Sequence, residues 1–233
     1  GVSGAGTSPN GLALLNSAVD VASQSQVDTV GELQSLTDAA NGVIGAASGG
    51  PAPTLAELQT LGVTGVTPDN LAAIQQAIAA TADDGSGVRD LNTLQALVTS
   101  AAAGAAAALT TISSAAQADT ATAGTPSAAD YAAAGVTGVT AANLAAINTA
   151  LDSAAIDSAA VDTSAEVQHL VDAYNAILAA ADGPTGSTAN PLSAAQYQTL
   201  GVSGAGTSPN GLALLNSAID VASQSQVDTV GEL

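Results

Sequence analysis

The stretch PTLAELQTLGVTGVTPDNLAAIQQAI, residues 53–78, decides the fold. Thr54 follows a proline and stands three residues before Glu57. That spacing is a capping box, in which hydroxyl and carboxylate each satisfy an orphan amide of a first helical turn. Leu55, Leu58 and Leu61 then supply an apolar face, and Gly62 stops the helix, because glycine takes the left-handed C′ conformation without a Cβ penalty. Val63-Thr64-Gly65-Val66-Thr67 alternates like a strand but is wedged between a helix stop and a helix start, so it reads as a turn. Thr67-Pro68 restarts the helix: threonine caps, and proline at the first position is pre-set in φ with no amide to lose. Leu71, Ile74 and Ile78 fall at helical spacing on one face.

The same reading applies elsewhere. The Gly-Val-Ser/Thr-Gly marker stands at Gly1, Gly62, Gly135 and Gly201, with spacings of 61, 73 and 66 residues. The short helix before it, helix A, recurs after Pro126-Ser127 with Asp130, and at Ser193 with Gln196; Tyr131 and Tyr197 replace Leu58, which favours core packing for both rings. Helix B follows at Ser8-Pro9, Thr67-Pro68 and Thr140, with stripes Leu12, Leu15, Val19; Leu71, Ile74, Ile78; and Leu144, Ile147, Leu151. The first copy carries two extra residues near Gly6-Thr7. Helix C begins near Asp28-Thr29, Asp90 and Asp162-Thr163, where Thr29…Glu32 and Thr163…Glu166 are further capping boxes. Its stripes are Leu33, Leu36, Ala40, Val43, Ile44; then Leu94, Leu97, Ala101; then Val167, Leu170, Tyr174, Ile177, Leu178. The second copy of helix C runs on through polyalanine to Leu109 and Ile112.

On a longer scale, Gly1–Leu33 returns as Gly201–Leu233 with one change, Val19 to Ile219. Such self-similarity is the signature of a repeat architecture. The expectation is a tandem array of 200-residue blocks, each holding three divergent modules. The fold class is all-α: tandem short three-helix bundles in a 200-residue super-repeat. Gly49-Gly50-Pro51, Ala121–Gly124 and Asp182–Pro191 read as linkers. They divide the chain into a partial module of helices B and C at 1–50, three-helix modules at 51–123 and 124–183, and the start of the next super-repeat at 184–233.

Composition narrows the function. Of 233 residues, 20 are acidic and one is cationic, giving a formal charge of −19. That balance cannot neutralise phosphates and is repelled by an anionic membrane surface, so neither nucleic acid nor membrane insertion is expected. The most apolar tract, Ala101–Leu109, is too short to span a bilayer. With no cysteine there is no disulfide, thiolate nucleophile or Cys-type zinc site. Tyrosine is the only aromatic residue type present, which leaves few stacking platforms. The hydrophobic share of 47% is mostly alanine, so the cores are thin and helix propensity must contribute. Modules of this size gain from packing on their neighbours or on another chain. Absence of cysteine, and a single tryptic site at Arg89, suit an extracellular, protease-exposed setting.

The pattern Leu61-Gly62-Val63-Thr64, Asn70-Leu71, Ile74, then Val88, then Leu94 and Leu97-Val98 resembles the three-helix albumin-binding (GA-type) module of bacterial surface proteins. It is closest to the alanine-rich versions found in tandem in giant adhesins. The resemblance implies a three-helix fold and a cell-surface or secreted location; the side chains of an albumin-binding surface have no match here.

Candidate chemistry is sparse. His169, the only histidine, has Glu166 and Asp172 one turn away on helix C, where a solvated imidazole beside carboxylates is the expected state. Asp83-Asp84-Gly85-Ser86-Gly87 resembles a calcium loop faintly but lacks the ligand spacing, so it reads as a polar B–C loop, with Arg89 pairing one of its acids. Gly-Val-Ser-Gly-Ala-Gly lacks the lysine and preceding strand of a phosphate loop. No serine has a recurring His and Asp around it. No catalytic, cofactor-binding or metal residue is assigned, and no cofactor is expected. The leading expectation is a structural repeat of a large extracellular bacterial surface protein, a stalk or filament-forming element in adhesion or biofilm matrix, with self-association between neighbouring modules or chains. The alternative is a module that captures a host or matrix protein on its helices. A hydrolase fails for want of a convergent polar set.

Overall fold

The computed structural model describes residues 1–6, 8–116, 124–183, 191–205 and 208–233. Among them the regular structure is α-helical, and the one β-bridge, Asp182 with Ser223, is isolated. The helices are α1 (Pro9–Val21), α2 (Val30–Ala47), α3 (Leu55–Thr60), α4 (Pro68–Ala79), α5 (Leu91–Ala116), α6 (Ala128–Ala133), α7 (Leu144–Leu151), α8 (Ser164–Ala180), α9 (Ala194–Thr199) and α10 (Pro209–Val221). Helix A of the sequence is thus α3, α6 and α9; helix B is α1, α4, α7 and α10; helix C is α2, α5 and α8.

Local chemistry sets these boundaries. Thr54, Ser127 and Ser193 each accept the amide three residues on, while Glu57, Asp130 and Gln196 reach back, closing a capping box on every helix A. Each helix A then ends alike. Gly62, Gly135 and Gly201 have φ of 86°, 82° and 80°, and the following valine amide returns to the carbonyl of Leu58, Tyr131 or Tyr197 in a Schellman closure. Helix B starts one residue after Ser8, Thr67 and Ser208, with proline at its first position. In α7 the start moves from the expected Thr140 to Leu144, with Asn143 as cap. Ala141 stands where the other copies have proline, so nothing pre-sets the first turn, which relaxes into a Thr140–Asn143 turn. The marker segments are turns, as their position between helices requires.

Two compact units divide the chain, Gly1–Ala106 and Ala107–Leu233. Sequence modules 1–50 and 51–123 were separated at Gly49-Gly50-Pro51, yet one core takes Leu14, Leu36 and Val43 from the first and Leu58, Ile74, Val88, Leu94 and Val98 from the second. In the other unit one core takes Ile112, Tyr131, Ile147, Leu170 and Ile177 together with Tyr197, Leu200 and Ile219, across the expected boundary at 183/184. The reason is visible in the packing. Helix C lies on its own helix B and also on the helix A that follows: α2 on α1 and α3, α8 on α7 and α9. Small cores are enlarged by this sharing, which alanine-rich modules need. The linker residues 121–123 and 184–190 lie outside the described residues.

The helix α5 is 26 residues long and, by length and composition, apolar enough to cross a membrane. The tract Ala101–Leu109 is therefore not an isolated short run; flanking residues extend the same helix. Its side chains are used in packing, Leu94 and Val98 in one core and Ala108, Ile112 and Ala116 in the other. One stripe differs from the expected face. In α1 the buried residues are Gly11, Leu14, Leu15 and Ala18, while Leu12 is 41% exposed.

Candidate interaction surface

Three polar devices hold the helices; the first two recur at matching positions, and the third differs between the units. The first ties helix A to helix B. Tyr131 is buried, and its hydroxyl donates to Asn148 Oδ1 at 2.8 Å, while Asn148 Nδ2 donates to the Pro126 carbonyl at 2.9 Å. Tyr197, Asn216 and the Leu192 carbonyl repeat this at 2.8 and 2.9 Å. Where Leu58 replaces tyrosine, Gln75 Nε2 reaches the Pro53 carbonyl alone, at 2.8 Å. Burial pushes Tyr131 well above the ordinary phenol range, and pushes Tyr174 and Tyr197 up to about 12. These rings are core struts with a satisfied polar tip.

The second device clasps the marker turn to helix C. Thr64 N donates to Gln95 Oε1 at 2.9 Å, and Gln95 Nε2 donates back to Thr64 O at 3.0 Å. Thr137 with Gln168 gives 2.8 and 3.1 Å, and Ser3 with Gln34 gives 2.8 and 3.0 Å. Sequence reading missed this clasp. Its signal is a glutamine 31 residues after the marker hydroxyl in three copies, which no helix-face pattern contains. A glutamine suits this clasp because its amide carries an acceptor oxygen and a donor nitrogen side by side on a side chain long enough to reach both backbone groups of one residue.

The third device joins helix C, and in the first unit also Asn10 of α1, to a later B–C loop. Ser48 Oγ donates to the Asp83 carbonyl at 2.5 Å, and Asn10 Nδ2 to the Asp84 carbonyl at 2.7 Å. Gly85 has φ of 72°, and a Cβ there would lie 2.9 Å from Ile44 Cδ1, so the loop needs glycine for both conformation and contact. In the other unit Tyr174 Oη donates to the Val227 carbonyl at 3.0 Å and Gln224 Nε2 to the Leu178 carbonyl at 3.0 Å.

These contacts show what surrounds the singled-out residues. In the loop 83–87, the Asp83 and Asp84 carbonyls accept protein donors and the Asp84 carboxylate accepts the Ser86 amide, so the loop is organised by the protein's own groups. That same hydrogen bonding to Ser86 holds the Asp84 carboxyl below its ordinary range. Arg89 does not pair with Asp83 or Asp84. It bridges its neighbour Asp90 at 3.8 Å in an exposed geometry worth about 0–1 kcal/mol. Asp90 is instead committed mainly to the Thr93 amide, which lowers its pKa and caps α5. His169 is exposed on α8, and among the described residues no three His, Asp or Glu side chains gather as a metal site would need.

His169 does border a shallow groove of about 280 Å³, formed by the B–C loop at residues 155–160, the start of helix C and the next helix A. A groove of about 300 Å³ occupies the corresponding place in the first unit. Glu166 lines one and Glu32 the other, and Ser35 stands where His169 does. Both carboxylates are held below their ordinary range by the threonine hydroxyl they cap. Every described acid is exposed or half-buried. No family model, curated protein or solved structure matches the chain.

Proposed function

We propose that this chain is a structural repeat segment of a large extracellular bacterial surface protein, a stalk or filament-forming element in adhesion or matrix. The observation that carries the reading is the recurrence of the marker-turn clasp at Ser3–Gln34, Thr64–Gln95 and Thr137–Gln168. A polar contact repeated in three copies and spent on the chain's own backbone is a scaffold's feature. Supporting it, α2 shares a core with the α3 that follows it, and α8 with α9, which favours successive modules that brace one another. Like charge distributed over such an array keeps it extended and soluble. Among the described residues many polar side chains are engaged in caps and clasps and no three His, Asp or Glu gather, which supports a non-enzymatic role. Only 22% of the apolar window of α5 is buried, but those residues fall on one stripe that enters the cores, which supports a helix packed along the protein. Partners are neighbouring modules or chains of the same kind. Electron micrographs of the native protein test this: beaded or fibrous threads support it, and dispersed compact particles refute it.

A second reading, capture of a host or matrix protein, is favoured by the groove that recurs beside Glu32 and Glu166. It predicts saturable binding of one defined protein to the chain, blocked by substitutions at Ser35 and His169.

A further inference from the structure

The grooves beside Glu32 and Glu166 share one design, and each is closed by elements of its own unit. The floor is a buried leucine of helix C, Leu36 in one and Leu170 in the other. An apolar wall comes from Val21 in the first and Ile156 in the second. A threonine of the next helix A, Thr60 or Thr199, closes the far side. In the second unit the turn after α9 packs tightly on the loop that lines the groove: a Cβ on Gly201 would lie 2.6 Å from Ala155 Cβ. The glutamate stands half-buried at the edge of each trough.

The electrostatics at the rim are one-sided. Glu32 Oε2 accepts the Thr29 amide and hydroxyl at 2.9 and 2.8 Å, and Glu166 Oε2 accepts those of Thr163 at 3.1 and 2.7 Å, which keeps both carboxylates ionised. A second acid stands beside each. The hydrogen bond with Glu32, and then its charge, pushes the Asp28 carboxyl above its ordinary range, and Asp162 is hydrogen-bonded to Glu166 in the same way. Arg89 is the chain's one lysine or arginine, and it bridges Asp90. A second copy of the chain would bring a further charge of −19 and is repelled. An apolar trough of about 300 Å³ rimmed by carboxylates matches a side chain with an aliphatic stem and a cationic head.

We propose that the grooves at Glu32 and Glu166 each receive a lysine or arginine side chain from a basic segment of a partner protein. The stem lies along the leucine floor, and the head meets the glutamate and its neighbouring aspartate. Charge supplies the attraction, and the trough supplies the place, because the chain's other acids lack an apolar floor matched to a side-chain stem. This rests on the second reading above, capture of a host or matrix protein, and gives that partner its chemistry: a basic surface.

The probe is a capped tetralysine peptide titrated into the isotope-labelled chain at about 0.15 M salt, where charges more than about 8 Å apart are screened. Saturable shifts are expected at the amides of Ser35, Leu36 and Thr60 and of His169, Leu170 and Thr199. Tetralysine acetylated on its side chains keeps the stems without the charge and should bind at least about tenfold more weakly. Glu32→Gln removes the charge and keeps the capping box, as Gln196 does for α9. It should weaken binding at its own groove at least about tenfold and leave the Glu166 groove within about twofold; Glu166→Gln should do the converse. Asp83→Asn, an exposed acid away from both grooves, should change neither by more than about twofold. Ser35→Lys and His169→Lys leave the caps intact and place a cation at the rim, so they should give the same losses even where a Gln variant disturbs its helix start. Shifts spread over the exposed acids, or grooves indifferent to both kinds of substitution, overturn the proposal. A defined protein bound equally well by these variants also overturns it and leaves capture standing. Groove-specific binding of tetralysine supports it even where host and matrix proteins fail to bind, an outcome that counts against capture alone.

Discussion

Leu14→Ala and Leu214→Ala are the same substitution in helices that differ at one position, yet they should differ in cost by at least about 2 kcal/mol. Leu14 is fully buried, so truncation removes about three carbon groups from a packed site and leaves a cavity. Transfer alone gives about 2.4 kcal/mol at about 0.8 per methylene, and the cavity raises the total into the range of about 2.7–5 kcal/mol. Leu214 keeps about a quarter of its side chain covered, worth about 0.6 kcal/mol, and the better helix propensity of alanine returns a few tenths. Native-state hydrogen exchange reads each helix separately, which matters because the two compact units need not unfold together. Leu14→Ala should speed exchange in α1 and α2 about 100-fold, and Leu214→Ala should change α10 by less than about threefold. Equal effects at the two positions would refute the assignment of different buried faces.

Gln95→Ala removes two backbone hydrogen bonds from a partly exposed clasp and should cost about 1 kcal/mol; Gln95→Glu, which accepts but does not donate, should fall between, both read from exchange of the Thr64 amide. Gly62→Ala makes only an ordinary contact with Leu91 Cδ2 at 4.0 Å and should cost about 1–2 kcal/mol for its left-handed φ, whereas Gly201→Ala should cost more, because its Cβ would lie 2.6 Å from Ala155 Cβ; denaturant midpoints check the order. Tyr174 and Tyr197 titrate at about 12 when folded, above the usual phenol value near 10, so their stabilisation is complete below pH about 10 and lost as pH rises through 12. Tyrosinate absorbance should therefore appear together with loss of helical circular dichroism. The capping carboxylates Glu32, Asp130 and Glu166 have lowered pKa values, so their contribution is present above the ordinary carboxylate range and lost as pH falls through the folded values; helix starts at α2, α6 and α8 should fray first in acid.

The helix starts and stops were legible because they depend on residues a few positions apart: Thr54 with Glu57, Gly62 after Leu61, Pro68 after Thr67. Burial of Tyr131 and Tyr197 was legible because their copies align with Leu58. The sharing of one core across Gly49-Gly50-Pro51 was not legible, since local pattern shows which face is apolar but not which helix covers it. The same limit explains α1, where spacing alone points Leu12 inward, whereas α2 covers the face that holds Leu14. The Gln clasp escaped because it joins a turn to a helix 31 residues on. In α7 a single Pro-to-Ala difference moved the helix start.

Contour length against block number tests the interlocked scaffold most directly. Chains carrying increasing numbers of the 200-residue block, imaged as single molecules, should lengthen by a constant increment per block while helical content per residue stays fixed or rises. A length that levels off, or particles that grow compactly with block number, would contradict the account.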